Sequence, residues 1–573
     1  MKTRRSLVFG ISTLLVLAAL AQSQSWTALA HQPTVPIGTA LLLTDGTVMA
    51  QQMQTSGFAT GQWWRLTPDS AGSYTNGTWV QLATMPSGYA PLYYASAVLS
   101  DGRVVFEGGE YNNTSQSETN LGAIYNPAAN SWTSISPPSG WSQIGDAQSV
   151  VLANGKFMMG NCCSNTQALL NASNLTWTAT GTGKADRNAE EGWTLLPNGD
   201  ALTVDVSDGT NSELYNPATG SWSSIGSTMV QLPNTTCVEV GPAVLRPTGS
   251  VFATGGTSNT ATYNTSTGVW AAGPTFPNGL GVVDGPAAIL PDGNVLVNTA
   301  PISPCYTVGS KFYEYNGTTL TAVVNPPRAG SDASYVGRML VLPTGQILFT
   351  DGSTSVEVYT ASGTYQSAWQ PTITSFPSTV TVSSTNNAIS GKQLNGLSQG
   401  AMYGDDAQMA TNYPLVRIKN NSTGHVFYAK THTHSTMGVA TGSATVSTQF
   451  DVPANTETGA STLVVVANGI PSNAVNITVQ PGALSCTAAP SCSLQGQGQG
   501  EVVAGQVVVT CNQATILTAS ATICGNSCVT DSVAPPVPVS NLSAGDATQG
   551  TGGSCSLSWS WGGNNYSQFL SVP

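Results

Sequence analysis

Histidine is nearly missing from this chain: four residues in 573. Bases are scarce too, with 16 Lys and Arg against 28 Asp and Glu, and charged residues of either sign make up only 8%. A lysine-poor, acidic chain offers no basic stripe for nucleic acid or anionic lipid, so neither is expected as a partner. Past the first two dozen residues no apolar run approaches the roughly 18 residues of a membrane span. A phosphate-cradling Gly-rich loop is absent, and so is the G-x-S-x-G of a serine nucleophile. Cysteine is thin over the first 480 residues, where Cys162 and Cys163 stand side by side rather than as C-x-x-C. Neighbouring cysteines seldom bond to each other, so burial or pairing elsewhere is the expectation for these two.

The N-terminal stretch MKTRRSLVFGISTLLVLAALAQSQ has a basic start (Lys2, Arg4, Arg5), an apolar run from Ser6 to Leu20 and a small-residue Ala19-Leu20-Ala21 site. This pattern predicts a secretory signal peptide over residues 1–21 and a secreted, extracellular protein. Without those three bases the remainder carries 13 bases against 28 acids, and Gly, Ser, Thr and Asn supply its surface polarity. Six of the ten cysteines (Cys486, Cys492, Cys511, Cys524, Cys528, Cys555) fall in the last 90 residues or so. An even number in a short exported segment predicts disulfides there, with a pairing that spacing does not fix. Sequons at Asn76, Asn234 and Asn476 matter only in a host that glycosylates.

The chain's main feature is a repeat. Two apolar strands flank a D-G, N-G or T-G turn in "ALLLTDGTVMA", "SAVLSDGRVVFEGG", "SVVLANGKFMMG", "GWTLLPNGDALTV", "AVLRPTGSVFATGG", "AAILPDGNVLVN" and "MLVLPTGQILFTD". Their turns begin at Asp45, Asp101, Asn154, Asn198, Thr248, Asp292 and Thr344. Most copies add a second phrase ending in Trp, such as "IYNPAANSW" or "LYNPATGSW". Two hairpins per unit of roughly 44 to 56 residues make a four-stranded propeller blade, and seven units make seven blades. The expected fold is therefore all-β: a seven-bladed kelch-type β-propeller over residues 30–370. An immunoglobulin-like β-sandwich is predicted for 371–480, where alternating strands lose the blade period. A small disulfide-rich β module should follow over 481–573.

Seven kelch-like blades followed by such a sandwich, with the phrases "AMYGDDAQMATNYPLVRI" and "YAKTHTHSTMG", resemble galactose oxidase and its copper-radical oxidase relatives over about residues 30–480. The resemblance implies a metal site at the propeller axis, with ligands eight or nine residues before the turns and a histidine delivered from the C-terminal domain. Carried over position by position, it makes Tyr93 the radical tyrosine and Tyr335 the second tyrosine. Tyr111 becomes the stacking aromatic, where the family has Trp, and His432 the sandwich-derived ligand. Two positions depart from the pattern. Ile37 stands where the cross-linked cysteine belongs, and Val336 where the second histidine belongs. An isoleucine forms no thioether, and a valine removes an imidazole that copper favours. His434 could substitute, since residues i and i+2 of a strand face one way.

The same register brings out a second set. Asp146, Glu190 and Asp284 lie eight residues before their turns and Glu239 nine, with Glu191 adjacent. Joined by His432 and His434, these acids would offer oxygen and nitrogen ligands suited to Mn²⁺, Ca²⁺ or Zn²⁺ rather than to radical copper. The alternative is structural: acids that hold water in a wet axial channel and histidines that bond backbone across the domain joint. Asp405 and Asp406 could bind a cation or serve a turn. Two functions follow. One is a secreted, monomeric galactose-oxidase-like protein that binds carbohydrate or glycan without radical chemistry. The other is a copper-dependent alcohol or aldehyde oxidase that releases hydrogen peroxide.

Overall fold

The computed structural model describes residues 24–404, 409–495, 502–533, 536–549 and 553–572. The expected leader and the Asp405–Asp406 pair lie outside these residues. The described chain is built of strands and forms two units: residues up to 380 with 385–478, and 381–384 with 479–573.

The first unit contains a seven-bladed propeller. Each blade is a four-stranded antiparallel sheet with one innermost strand, and the sheet of blade six gains two short strands, Leu280–Gly281 and Ala401–Tyr403. In blade order these are Ile37–Leu42, Ala95–Val98, Ser149–Val151, Thr194–Leu195, Val240–Leu245, Pro286–Ile289 and Arg338–Val341. Each packs against the next and the seventh against the first, so they close a ring about an axis. The last blade is completed from the other end of the chain, where Ser25–Ala28 pairs antiparallel with Val356–Thr360.

The sequence repeat has a direct physical basis. In the D-G turns Gly46 and Gly102 sit at φ +75° and +82°, a left-handed conformation that glycine adopts without penalty. Asp45 and Asp101 brace them by accepting the backbone N–H of Thr47 at 3.0 Å and Arg103 at 2.9 Å. The Trp phrase is an inter-blade tie. Trp132 donates its indole N–H to Ala83 O (2.7 Å), Trp177 to Ser136 O (2.9 Å) and Trp270 to Ser212 Oγ (2.9 Å), each in the preceding blade or the connection leaving it. Trp26 makes the same tie from the closing strand, to Val324 O at 2.6 Å. A large apolar ring with one polar edge thus joins neighbouring blades and leaves no stranded donor.

The immunoglobulin-like sandwich docks on the propeller face that carries the D-G turns. Val426 N donates to Ser70 O (2.8 Å), Thr431 N to Thr44 O (3.1 Å) and Met437 N to Ala153 O (3.0 Å). One of its segments enters the axis: Ala401–Tyr403 pairs antiparallel with the innermost strand of blade six, Tyr403 opposite Pro286.

The second unit is centred on one long strand, Val502–Cys524, which pairs with Cys486–Gln495, Val537–Gln549, Cys528–Ser532 and Gly553–Trp561. Valines 503, 507 and 509 with Leu517, Ile523, Cys555 and Leu557 form its core. Three disulfides, Cys486–Cys511, Cys492–Cys555 and Cys524–Cys528, tie it together. So small a core needs such cross-links.

Candidate functional site

A cavity of about 500 Å³ opens at the end of the axis where the innermost strands begin. The residues before those strands supply its walls: Tyr93, Asp146, Glu190, Glu239, Asp284 and Tyr335, one from each of blades two to seven. The eight-or-nine-residue offset from each turn thus becomes one level of the ring. Strain concentrates here. Tyr93, Glu190 and Asp284 hold φ of +54°, +62° and +55°, a conformation that costs a side-chain-bearing residue energy and is kept where the surroundings enforce it.

Hydrogen bonds fix several of these groups. Tyr306 donates to Glu239 Oε1 at 2.7 Å, and its ring meets Tyr335 edge-on with centroids 5.6 Å apart. Burial, then the Glu239 charge, then Glu190 and Asp284 push the Tyr306 hydroxyl pKa upward, so it stays protonated as a donor. Tyr403, arriving through the axis, has its hydroxyl 2.6 Å from Asp284 Oδ2 and 2.5 Å from Tyr335 O. Arg338 brings the cavity's guanidinium. It donates to Tyr335 O (2.6 Å) and Gly337 O (2.9 Å) and lies 3.8 Å over the Tyr403 ring. Tyr111 stands edge-on to Tyr93, centroids 6.2 Å apart, and packs on Phe58. Six carboxylates line the cavity (Glu110, Asp146, Glu190, Glu239, Asp284, Asp351) against this one arginine. The lining is therefore rich in acids.

Two disulfides support the acid-bearing loops. Cys237–Cys305 joins the loop that ends in Glu239 to the loop that carries Tyr306. Cys162 and Cys163 bond to each other, contrary to the expectation for adjacent cysteines. Cys162 N donates to Ile144 O (3.0 Å), which anchors the pair beside Gly145. Next to it Glu118 Oε2 accepts the N–H of Asp146 at 3.3 Å, and burial raises the Glu118 pKa.

Three expectations need correction. His432 and His434 do not join the acids. Their segment packs at the D-G turn end of the propeller, whereas the cavity opens where the innermost strands begin, and neither histidine lines it. They are not a strand pair either, because the strand ends at His432 and Thr433 turns left-handed at φ +54°. His432 Nε2 bonds Asp451 Oδ1 at 3.0 Å and His434 Nδ1 bonds Thr448 Oγ1 at 2.8 Å, within the sandwich. Glu191 turns away from Glu190 and is buried on Lys184 Nζ at 3.0 Å, in a cluster with Asp205 and Glu213. Finally, among the described residues the cavity acids form no cluster of three or more tight enough to hold a metal ion. Among the described residues, the trio of metal-type side chains with all ligand atoms within 4.8 Å of one another is Glu118, Cys162 and Cys163, whose sulfurs are bonded together.

Radical-copper chemistry does not fit these walls. Ile37 is fully buried with no thiol to cross-link, Val336 lines the cavity in place of an imidazole, and none of the four histidines does. Tyr306, Arg338, Tyr403 and Asp351 escaped the sequence reading. A signal existed for Tyr306: four cysteines lie outside the terminal cluster, and the two that stand apart flank Glu239 and Tyr306 within two residues.

No protein-family model matches the chain, and no curated protein does. Among solved structures, a fungal alcohol oxidase of the AA5 family in complex with copper is similar at 14% identity and TM-score 0.46, over 80% of this chain and 99% of that one. YjhT is similar at 14% identity and TM-score 0.36, over 52% and 99% of the two chains. YCF48 bound to a D1 peptide is similar at 14% and 0.39, over 59% and 95%.

Proposed function

We propose that this is an exported protein whose axial cavity binds neutral or amine-bearing carbohydrate, without radical oxidase chemistry. The observation that carries the reading is the cavity's lining: about 500 Å³ walled by carboxylates that accept hydroxyl protons and by tyrosine rings against which the C–H face of a sugar packs. Its volume suits one or two sugar rings. Its charge discriminates: a uronate, sialate or sulfate would meet six carboxylates and one guanidinium. Export is supported by five disulfides. A hard cation such as Ca²⁺ or Mn²⁺ would suit the oxygen donors of these acids.

The test is a glycan array followed by titration calorimetry on hits, with Glu239→Gln and Tyr306→Phe. Tyr306→Phe deletes the donor of the 2.7 Å pair and Glu239→Gln replaces its charged acceptor by a neutral one, and each should weaken binding about five- to thirtyfold, the worth of one to two hydrogen-bond contacts. Binding of anionic glycans in preference to neutral ones would sink the charge argument. Copper-dependent peroxide release from simple alcohols would establish the oxidase instead.

A further inference from the structure

We propose a second carbohydrate site, at the tip of the last hairpin of the second unit, that takes a neutral polysaccharide chain. It does not depend on the cavity reading.

The hairpin is Gly553–Trp561 and Asn564–Val572, joined through Gly562 and Gly563. Alternation sorts its side chains. Cys555 and Leu557 point into the core, so Trp559 and Trp561 share their face. Across the strand pair, Leu557 stands opposite Gln568, Trp559 opposite Tyr566 and Trp561 opposite Asn564. The core face thus changes character along the hairpin, from buried aliphatic to partly exposed aromatic.

Three rings lie nearly parallel there. Tyr566 is 4.2 Å from Trp561 at 24° and 6.3 Å from Trp559 at 11°, and it is 37% exposed. Exposed carboxamides border the rings on the same face, Asn564 at the tip and Gln568 behind. Aromatic surface framed by uncharged donors and acceptors matches a sugar chain, whose rings present C–H faces bordered by hydroxyls. Charge narrows the partner further. Residues 479–573 contain Glu501, Asp531 and Asp546 and no Lys, Arg or His. Such a surface has nothing to hold nucleic acid, anionic lipid or an acidic polysaccharide, and too few acids to select a polycation.

The experiment is co-sedimentation of the full-length protein with insoluble neutral β-glucan, repeated with its carboxymethylated form and with phosphatidylcholine vesicles. Retention on the neutral polymer alone, unchanged by added salt, is expected. Trp561→Ala with Tyr566→Ala should cut retention at least tenfold. The pair Asn564→Ala and Gln568→Ala, both exposed, should cut it several-fold with folding intact. Phe569→Ala, on the opposite face of the hairpin, should change nothing. Failure of the parent protein to sediment with neutral glucan overturns the proposal, as does equal retention of both paired variants. A dimer that the aromatic variants dissociate, or binding to vesicles instead, would assign the rings to a second copy or to lipid and overturn it equally.

Discussion

Single side chains in this protein are governed by burial more than by sequence neighbours, and His434 illustrates it. Thr448 directs its hydroxyl proton to a backbone carbonyl, His432 O at 3.0 Å, so it accepts from His434 Nδ1–H. That leaves Nε2 as an unprotonated nitrogen, buried without a partner among the described residues. Burial first, then the neighbouring His432, lower the His434 pKa from 6.5 to about 3, with Asp101 pulling weakly the other way. Folding is then linked to pH with a definite sign. Between about 3 and 6.5 the unfolded chain holds a proton at this residue that the folded chain refuses, so stability drops as pH falls below 6.5. The slope contributed is at most about 1.4 kcal/mol per pH unit. His434→Asn keeps a donor for Thr448 and does not titrate. Chemical denaturation at pH 7 and pH 5 should show a smaller loss on acidification for the variant than for the parent. An identical loss would mean that His434 is not the group responsible. The two histidines looked alike in the sequence because alternation fixes side and says nothing of depth; the left-handed Thr433 between them divides their surroundings.

At the scale of elements, the blade repeat was legible because each strand pair repeats one local rule: a left-handed glycine after a bracing acid, amide or threonine, then an apolar strand. The axial register was legible for the same reason. Constant distance from the turn became constant height in the ring, which brought Tyr93, Tyr335 and four acids to one cavity. What crosses between elements was not legible. The sequence suggested that the histidines would enter the axis, yet Ala401–Tyr403 does so, because its apolar residues can pair with the equally apolar innermost strand of blade six. The Cys237–Cys305 link is another such crossing, over 68 residues. It holds two loops whose functional groups, Glu239 and Tyr306, stand within two residues of the bridge. Replacing both cysteines by serine should therefore weaken cavity ligand binding by at least tenfold, since an unbraced pair must be ordered on binding. The melting temperature will fall too, as a bridge over a loop of this length contributes on the order of 3–4 kcal/mol. The distinguishing result is in saturation: at a temperature where both proteins are fully folded, affinity should still differ. Equal affinity there would reduce the bridge to a plain cross-link.

At the scale of the whole molecule, the propeller is a ring that must be closed, and the chain closes it with four residues from near its start. Ser25–Ala28 adds the outer strand of blade seven. Its anchor is Trp26, whose ring packs on Phe312, Phe349 and Tyr359 with centroids 4.9 to 5.5 Å away, while its N–H reaches Val324 O in the preceding blade. One side chain therefore ties the closing strand to blades six and seven together. Trp26 is half-buried, so Trp26→Ala, which removes that packing, should cost about 2–3 kcal/mol, below the range of a fully buried aromatic truncated to alanine. Trp26→Phe keeps most of the packing and loses the hydrogen bond, for about 1 kcal/mol. Because innermost strands from all around the ring carry the cavity wall, an opened ring should loosen the cavity as well as the blades. Limited proteolysis of Trp26→Ala should release the N-terminal strand first, and cavity binding should decline with that cleavage. If binding outlasts removal of the strand, closure is held by the innermost strands themselves, and the outer tie serves the stability of blade seven alone.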